Sequence, residues 1–519
     1  MHRLRHTRSH HPPPCSKGTP GTGKTSTIMG IVGVLLAAGC PLPAAPKGKG
    51  APKGKGKGKK KAGERIVLNA PVPRGPARVL IVAPSNAAVD ELVLRLCQDG
   101  VPAADGGVYF PKVVRVGGSR MDDEARANCK GKDGLQSMVV EGVSLDVLVE
   151  DQRNTANPKL SVAKTRVEIL LQAEVVCLTL SSSGSQSLLE AVLLSMQEVV
   201  KQKQKMSQKP QKRPRVIGNV GQTVLGFDAV IMDEAAQAVE PSSLIPLKFN
   251  PRKVVMVGDP AQLPATIFSP EAMQANYGQS LFLRLQRGGH PKTMLDMQYR
   301  MHPDIASFAS SHFYNGLLRT SPTITEESHC QVFHRFPRFA PYLFHNVSGG
   351  RLKRGGVGST ATTSLSNPAE AQYIALMLKD LVETFPRVNF NGRIGVISPY
   401  RNQIQALQRG MWLSGLREDG VEISTVDGFQ GREKDIIIFS CVRAPEQHWS
   451  PGSASSSSGG GVGFLGDRQR INVAITRAKF AMWIVGHAGV LSQNGEWREL
   501  IEDSKKRGAF IDSSCNVRS

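Results

Sequence analysis

Three short stretches carry the most specific chemistry in the chain. Residues 18–25 read GTPGTGKT, the phosphate-loop pattern of two glycines five residues apart followed by Lys and Ser/Thr. Backbone N–H groups of such a loop and the helix N-terminus behind it cradle phosphates. Gly18, Gly21, Thr22, Gly23 and Ser26 therefore line a candidate phosphate site, with Lys24 reaching the terminal phosphates and Thr25 ligating magnesium. Further on, an apolar run from Ala229 ends in Asp233 and Glu234. At the C-terminal edge of a parallel sheet the first carboxylate would hold magnesium through water. The second would orient and deprotonate an attacking water. After the next run, VVMVG, Gln262 sits in a loop where an amide can sense a terminal phosphate.

These residues need a sheet to hold them, and apolar runs of strand length recur between helical patterns. RVLIVA (78–83), EVVCLTL (174–180), DAVIMD (228–233) and KVVMVG (253–258) form one series. RIGVIS (393–398), DIIIFS (435–440) and AMWIVG (481–486) form another. Two series imply an α/β fold with two nucleotide-binding-type domains joined near residue 290. Residues 119–172 read as a small helical insertion in the first. Before the phosphate loop stands RSHHPPPCSK, a poor strand because proline cannot donate to a ladder. The apolar run 28–40 falls where the helix after the loop belongs, and it is too short to span a bilayer.

Bulk properties constrain less. The net charge is +22, but residues 47–61 hold eight lysines and residues 201–215 seven basic residues, with no acid in either. Those two stretches account for most of the excess, which weakens the argument from charge to a polyanionic partner. The Gly/Lys-rich 43–63, Lys/Gln-rich 200–215 and Gly/Ser-rich 349–366 and 450–462 read as solvated loops. Eight cysteines without paired spacing indicate free thiols in a reducing compartment. The groups His10, His11, Cys15 and His329, Cys330 lack zinc-site spacing. KPQKRPR (209–215) matches a nuclear import pattern, so the expected location is the nucleus, otherwise the cytoplasm.

GTPGTGKT, APSNAAVDEL, DEAAQ, GDPAQLP, QYRMHP, VDGFQGREKDIIIFSCVR and NVAITRAK follow one another in the order found in superfamily-1 helicases of the nonsense-decay-helicase type, which this chain resembles. VSLDVLVE (143–150), VVCLTLSSSGSQSL (175–188) and GFLGDRQRINVAITRAKFAMWIVG (463–486) resemble the senataxin branch. The resemblance implies two tandem RecA-like P-loop domains with parallel sheets, residues 18–290 and 291–502, the first with its helical insertion and with basic loops at 41–64 and 196–221. Residues 1–17 are then expected to be an unstructured, non-native start, and 503–519 a tail.

The same resemblance implies an ATP-dependent RNA or DNA helicase using ATP and Mg2+, translocating 5′ to 3′ on single strands, with RNA–DNA hybrids as a further partner class and no membrane. It makes Arg300 and Arg477 arginine fingers, for which a planar, always-charged guanidinium is suited. Tyr299 would stack on adenine; Gln430, Gly431 and Glu433 would touch phosphate and ribose. Nucleic acid would run past Ser85, Asn86, Thr179, Ser181, Pro399, Tyr400, Arg401 and Thr425, through backbone contacts and limited stacking. Four departures from the family pattern stand out: the strand before the phosphate loop, the upstream adenine-reading glutamine and the small β-barrel with its stalk are missing, and Thr19 replaces a usual proline. The insertion, matched to the family's prong, is shortened. A truncated, hydrolytically inactive nucleic-acid-binding remnant is the alternative reading.

Overall fold

A computed structural model describes residues 15–38, 77–118, 132–155, 161–194 except 187, 189, 192 and 193, 226–354, 364–415, 420–429, 431–445 and 463–513. Both lysine-rich loops, the import-type stretch, Gln430 and residues 450–462 lie outside them. The chain divides into two compact units, Met1–Pro14 with Thr25–Met256, and Cys15–Lys24 with Val257–Ser519.

In the first unit the strands Val113–Val116, Val175–Thr179, Val79–Ala83, Ala229–Met232 and Lys253–Gly258 lie side by side in that order, each pair parallel. The first four are buried along their whole length, as apolar runs covered on both faces must be. The apolar run after the phosphate loop forms the helix Lys24–Ala38. Ile28, Met29, Val32 and Leu35 are its buried face, spaced as one side of a helix requires, while Val34 is exposed. Among the described residues no helix is long and apolar enough to cross a membrane. The described part of the insertion is helical, with helices Lys132–Gly142, Leu145–Thr155 and Val162–Gln172.

The second unit holds a six-stranded parallel sheet in the order Val421–Thr425, Ile394–Ser398, Lys434–Ser440, Ala478–Gly486, Tyr342–Asn346, Phe510–Asp512. Its core gathers Trp483, Trp497, Phe439, Ile438 and Leu381, all fully buried. Each such side chain contributes roughly 1.5–3 kcal/mol of transfer free energy.

Two expectations are corrected here. Cys15–Gly18 is a strand, paired in parallel register with Lys292–Leu295, so the phosphate loop does have a strand behind it. The prolines stop at Pro14, and only Cys15, Ser16, Lys17 and Gly18 enter the ladder; these can all donate. Residues 15–17 of the expected unstructured start therefore belong to a strand. Second, residues 503–513 are no tail. They complete the helix Gly495–Lys506 and supply the edge strand Phe510–Asp512.

Candidate nucleotide and nucleic-acid site

The phosphate loop turns on two left-handed glycines, Gly21 (φ 70°) and Gly23 (φ 72°), a conformation in which a side chain costs energy. Thr22 is buried and its hydroxyl donates to the Thr19 carbonyl at 2.7 Å. Thr19 Oγ1 donates in turn to the Leu295 carbonyl at 2.9 Å, giving this departure from the usual proline a structural role. Lys24 and Thr25 open the helix, with Ser26 exposed beside them. No acidic residue occupies the first turn, so its N–H groups and dipole face outward without a competing carboxylate. That donor set fits a phosphate chain.

In the first unit, Asp233 is buried at the end of Ala229–Met232 and its Oδ1 accepts the Glu234 N–H at 2.9 Å. Glu234 takes the left-handed conformation (φ 47°, ψ 39°), and its Oε2 accepts from Gln237 Nε2 at 2.8 Å. A glutamate pays for that conformation, and such strain concentrates at functional turns. The acidic pair thus offers one buried and one oriented carboxylate, the donor chemistry that a water-bridged magnesium ion and an attacking water need.

The second unit brings most of the remaining candidates together. Gln298 is fully buried and fills all its valences: Oε1 accepts from the N–H groups of Arg300 and Met301, and Nε2 donates to the Met301 carbonyl and Thr320 Oγ1. This staple shapes the QYRM turn, leaving Tyr299 58% exposed, as a stacking platform requires. The Tyr299 N–H donates to the Gly21 carbonyl at 2.8 Å, tying turn to loop. Arg300 Nε pairs with Glu433 Oε2 at 2.5 Å and Nη1 donates to the Thr476 carbonyl. Burial acts to raise the Glu433 carboxyl, but the Arg300 guanidinium and the Lys479 ammonium outweigh it and hold it at about 2. Gly431, at φ 78°, is exposed two residues before it.

Arg477 and Gln262 are both buried. Arg477 Nη2 lies 3.5 Å from Gln262 Oε1, while its Nε donates to the Val473 carbonyl at 2.9 Å. Gln262 Nε2 donates to Asp259 Oδ2 at 3.1 Å, which fixes the amide with its oxygen toward the arginine.

Of the nucleic-acid candidates, Ser85, Asn86, Ser181 and Arg401 are exposed. Ser85 Oγ caps the helix Asn86–Gln98, Thr179 Oγ1 accepts the Ser182 N–H and Thr425 Oγ1 accepts the Gly428 N–H. These three hydroxyls do local work as caps and turn formers. Pro399 is half-buried. Tyr400, expected along the nucleic-acid path, is buried with Leu365 and Val442, and its hydroxyl accepts from Arg443 Nε at 3.1 Å. Beneath it, buried Glu370 accepts the Val442 N–H on both oxygens and holds Val442 at φ 71°, a strained value for a β-branched residue.

Several organising residues escaped the sequence reading. Arg115 is 1% exposed, pairs with Asp90 at 2.8 Å and donates to Asn86 Oδ1 at 2.9 Å. Asp259, Asn472 and Gln298 stand inside motifs already singled out, which was a usable signal; Arg115, Tyr314 and Glu370 had none.

Two family models, each described as an AAA domain, match residues 277–489 and residues 3–157 with 219–270. A probable helicase of Dictyostelium discoideum is 39% identical over 456 residues, covering 84% of this chain and 40% of that protein. The probable helicase MAGATAMA 3 of Arabidopsis thaliana is 35% identical over 544 residues, covering 95% and 58%. The probable helicase senataxin of Homo sapiens is 31% identical over 558 residues, covering 95% and 18%. The chain belongs to the superfamily-1 helicases of the senataxin type. It has the α/β fold of that family, two RecA-like domains built on parallel sheets. This senataxin-type chain spans between about a fifth and three-fifths of the relatives named.

Proposed function

We propose that this chain is the motor of an ATP-dependent helicase that moves 5′ to 3′ along single-stranded RNA or DNA and couples hydrolysis to unwinding or to remodelling of protein–nucleic-acid complexes. The reading is carried by the train Asp259–Gln262–Arg477, which sets an oriented amide beside an always-charged guanidinium. That pairing suits a phosphoryl group whose charge changes during transfer.

Bound ATP with Mg2+ would supply the electrophilic γ-phosphorus and a charge-neutralising cation. Gly21, Thr22 and Gly23 would donate backbone N–H groups to phosphate, and Lys24 would add a point charge. Thr25 and Asp233 would hold the metal. Glu234 accepts a proton from the attacking water on its carboxylate, and Gln262 positions that water. Arg300 and Arg477 bind the charge that builds on the transferring group. Tyr299 stacks on the base, with Gly431 and Glu433 toward phosphate and ribose, a role for which Gln430, outside the described residues, is the further candidate.

Single-stranded nucleic acid binds through its backbone to Asn86, Ser181 and Arg401, with Ser85, Thr179, Pro399 and Thr425 near the strand ends that carry them. RNA–DNA hybrids fall within the same chemistry, and the import-type stretch at 209–215 favours a nuclear location. The remnant alternative rested on a missing strand before the phosphate loop, and Cys15–Gly18 removes that premise.

The test is phosphate release with and without single-stranded RNA or DNA, measured beside a Lys24→Ala control. Stimulated release by the unaltered chain alone supports the reading; equal release from both proteins sinks it.

A further inference from the structure

Tyr314 ends the helix Pro303–Tyr314 and is 2% exposed. Its hydroxyl donates to Asp259 Oδ2 at 2.7 Å and accepts from Asn472 Nδ2 at 2.8 Å. Asn472 Nδ2 donates its other proton to the Ala261 carbonyl at 2.8 Å. Asp259 accepts the Ala261 N–H on Oδ1 at 3.0 Å and the Gln262 side-chain N–H on Oδ2 at 3.1 Å. Gln262 Oε1 meets Arg477 Nη2, and Arg477 Nε returns to the Val473 carbonyl, one residue beyond Asn472 on the helix Arg468–Ile475. These bonds close a ring that passes from Tyr314 through Asp259, Gln262, Arg477 and the helix to Asn472 and back.

We propose that Tyr314 is a positioning residue for hydrolysis, its hydroxyl clamping the GDPAQ turn to the arginine-bearing helix so that Gln262 and Arg477 are held in register. The inference rests on the ATPase reading above. Asp259 is 1% exposed, and a buried carboxylate keeps its place only when its lone pairs are filled. The phenol is the donor that comes from outside the turn. Burial, then the Asp259 charge, push the phenol well above its ordinary value, so it remains a donor at every working pH. Asn472 is also fully buried, and with Nδ2 committed to both acceptors it cannot flip. The carboxylate in turn points the Gln262 amide nitrogen away from Arg477 and its oxygen toward it. Without the hydroxyl, Asn472 and Gln469 still tie the helix to the Ala261 and Pro260 carbonyls, but the Asp259 carboxylate that aims the Gln262 amide loses its link to the helix, and the amide–guanidinium pair is free to drift. Small misplacements of that kind are costly in catalysis because they are felt in the transition state.

The experiment is steady-state ATP hydrolysis of Tyr314→Phe at saturating single-stranded RNA, in the unaltered and the Arg477→Lys backgrounds. A fall in kcat of about tenfold is expected, with the KM for ATP within about twofold of the unaltered chain. In the Arg477→Lys background the same change is expected to cost less than about twofold, because its target is already displaced. An unchanged kcat overturns the proposal, and so does the same tenfold loss in both backgrounds. If Tyr314→Phe does not fold, Asn472→Ser opens the ring from the other side and carries the same expectation and the same overturning result. Release by the unaltered chain equal to that of Lys24→Ala would instead strike the ATPase reading itself, so the two failures are distinguishable.

Discussion

Arg300 Nε and Glu433 Oε2 lie 2.5 Å apart, so the guanidinium assigned to phosphate is neutralised by the carboxylate assigned to ribose. Glu433, held at about 2, has a depressed value, so its contribution to stability is present above the ordinary carboxylate range and lost only as pH falls toward 2. In the proposed mechanism ATP would have to draw Arg300 from a charged partner. Arg300→Ala is expected to lower nucleic-acid-stimulated kcat by about a thousandfold, the scale of an arginine finger. Glu433→Gln should cost no more than about tenfold. Phosphate-release assays decide it: equal losses would reduce Arg300 to a structural tie.

Arg115 offers only donors, so the oxygen of Asn86 must face it and the Asn86 NH2 is turned outward. Arg115→Met frees that amide and strands Asp90. We expect a lower Tm and a several-fold weaker affinity for a single-stranded oligonucleotide, with the salt dependence unchanged because Arg115 is buried away from phosphate. Arg401→Ala should do the opposite to the salt slope, reducing it by about 0.7 as one phosphate contact is lost. Fluorescence anisotropy across a salt series separates the two behaviours, and a flat response to Arg401→Ala would remove that residue from the nucleic-acid path.

At Gly21 the backbone is left-handed, and an added Cβ would stand 2.7 Å from Arg300 Cβ. Gly21→Ala is therefore expected to cost about 1–2 kcal/mol in stability through backbone strain, and more through the clash. It should also weaken ATP binding by moving the loop away from the Tyr299–Arg300 turn. Denaturation and nucleotide-binding titrations together check this; a fully stable variant with normal ATP affinity contradicts it.

Burial raises Glu370 to about 8, against the donors Ser440 and Val442 that favour its charged form. A raised carboxyl adds stability that is complete below its ordinary value near 4.5 and is lost as pH rises through about 8. Glu370→Gln does not titrate. Relative to that variant, the unaltered chain should lose stability steadily between about pH 5 and 8.5 and then level off. Denaturant unfolding of both proteins across that range measures the difference, and a constant gap would refute the assignment.

The strands legible in the sequence were the apolar, β-branched runs buried on both faces, such as Val79–Ala83 and Lys434–Ser440. The buried Val113–Val116 was missed because Arg115 interrupts its apolar run, and the others missed were of different kinds. Val421–Thr425 is an edge strand, half-exposed throughout, and Phe510–Asp512 is a short edge strand. Tyr342–Asn346 is buried yet carries His345 and Asn346, which mask its pattern. In the site, type and spacing pointed to Gln262, whereas Arg477 was reached only through the family resemblance of NVAITRAK. Tyr314, Arg115 and Glu370 act by holding others, and their partners lie 25 or more positions away, where periodicity carries no information.

The ladder between Cys15–Gly18 and Lys292–Leu295 bears on how the chain is born. At synthesis rates of roughly 5–20 residues per second, the partner strand emerges tens of seconds after the loop it supports. Through that interval the phosphate loop leaves the ribosome without this partner strand. The ladder can close only once that later segment has emerged.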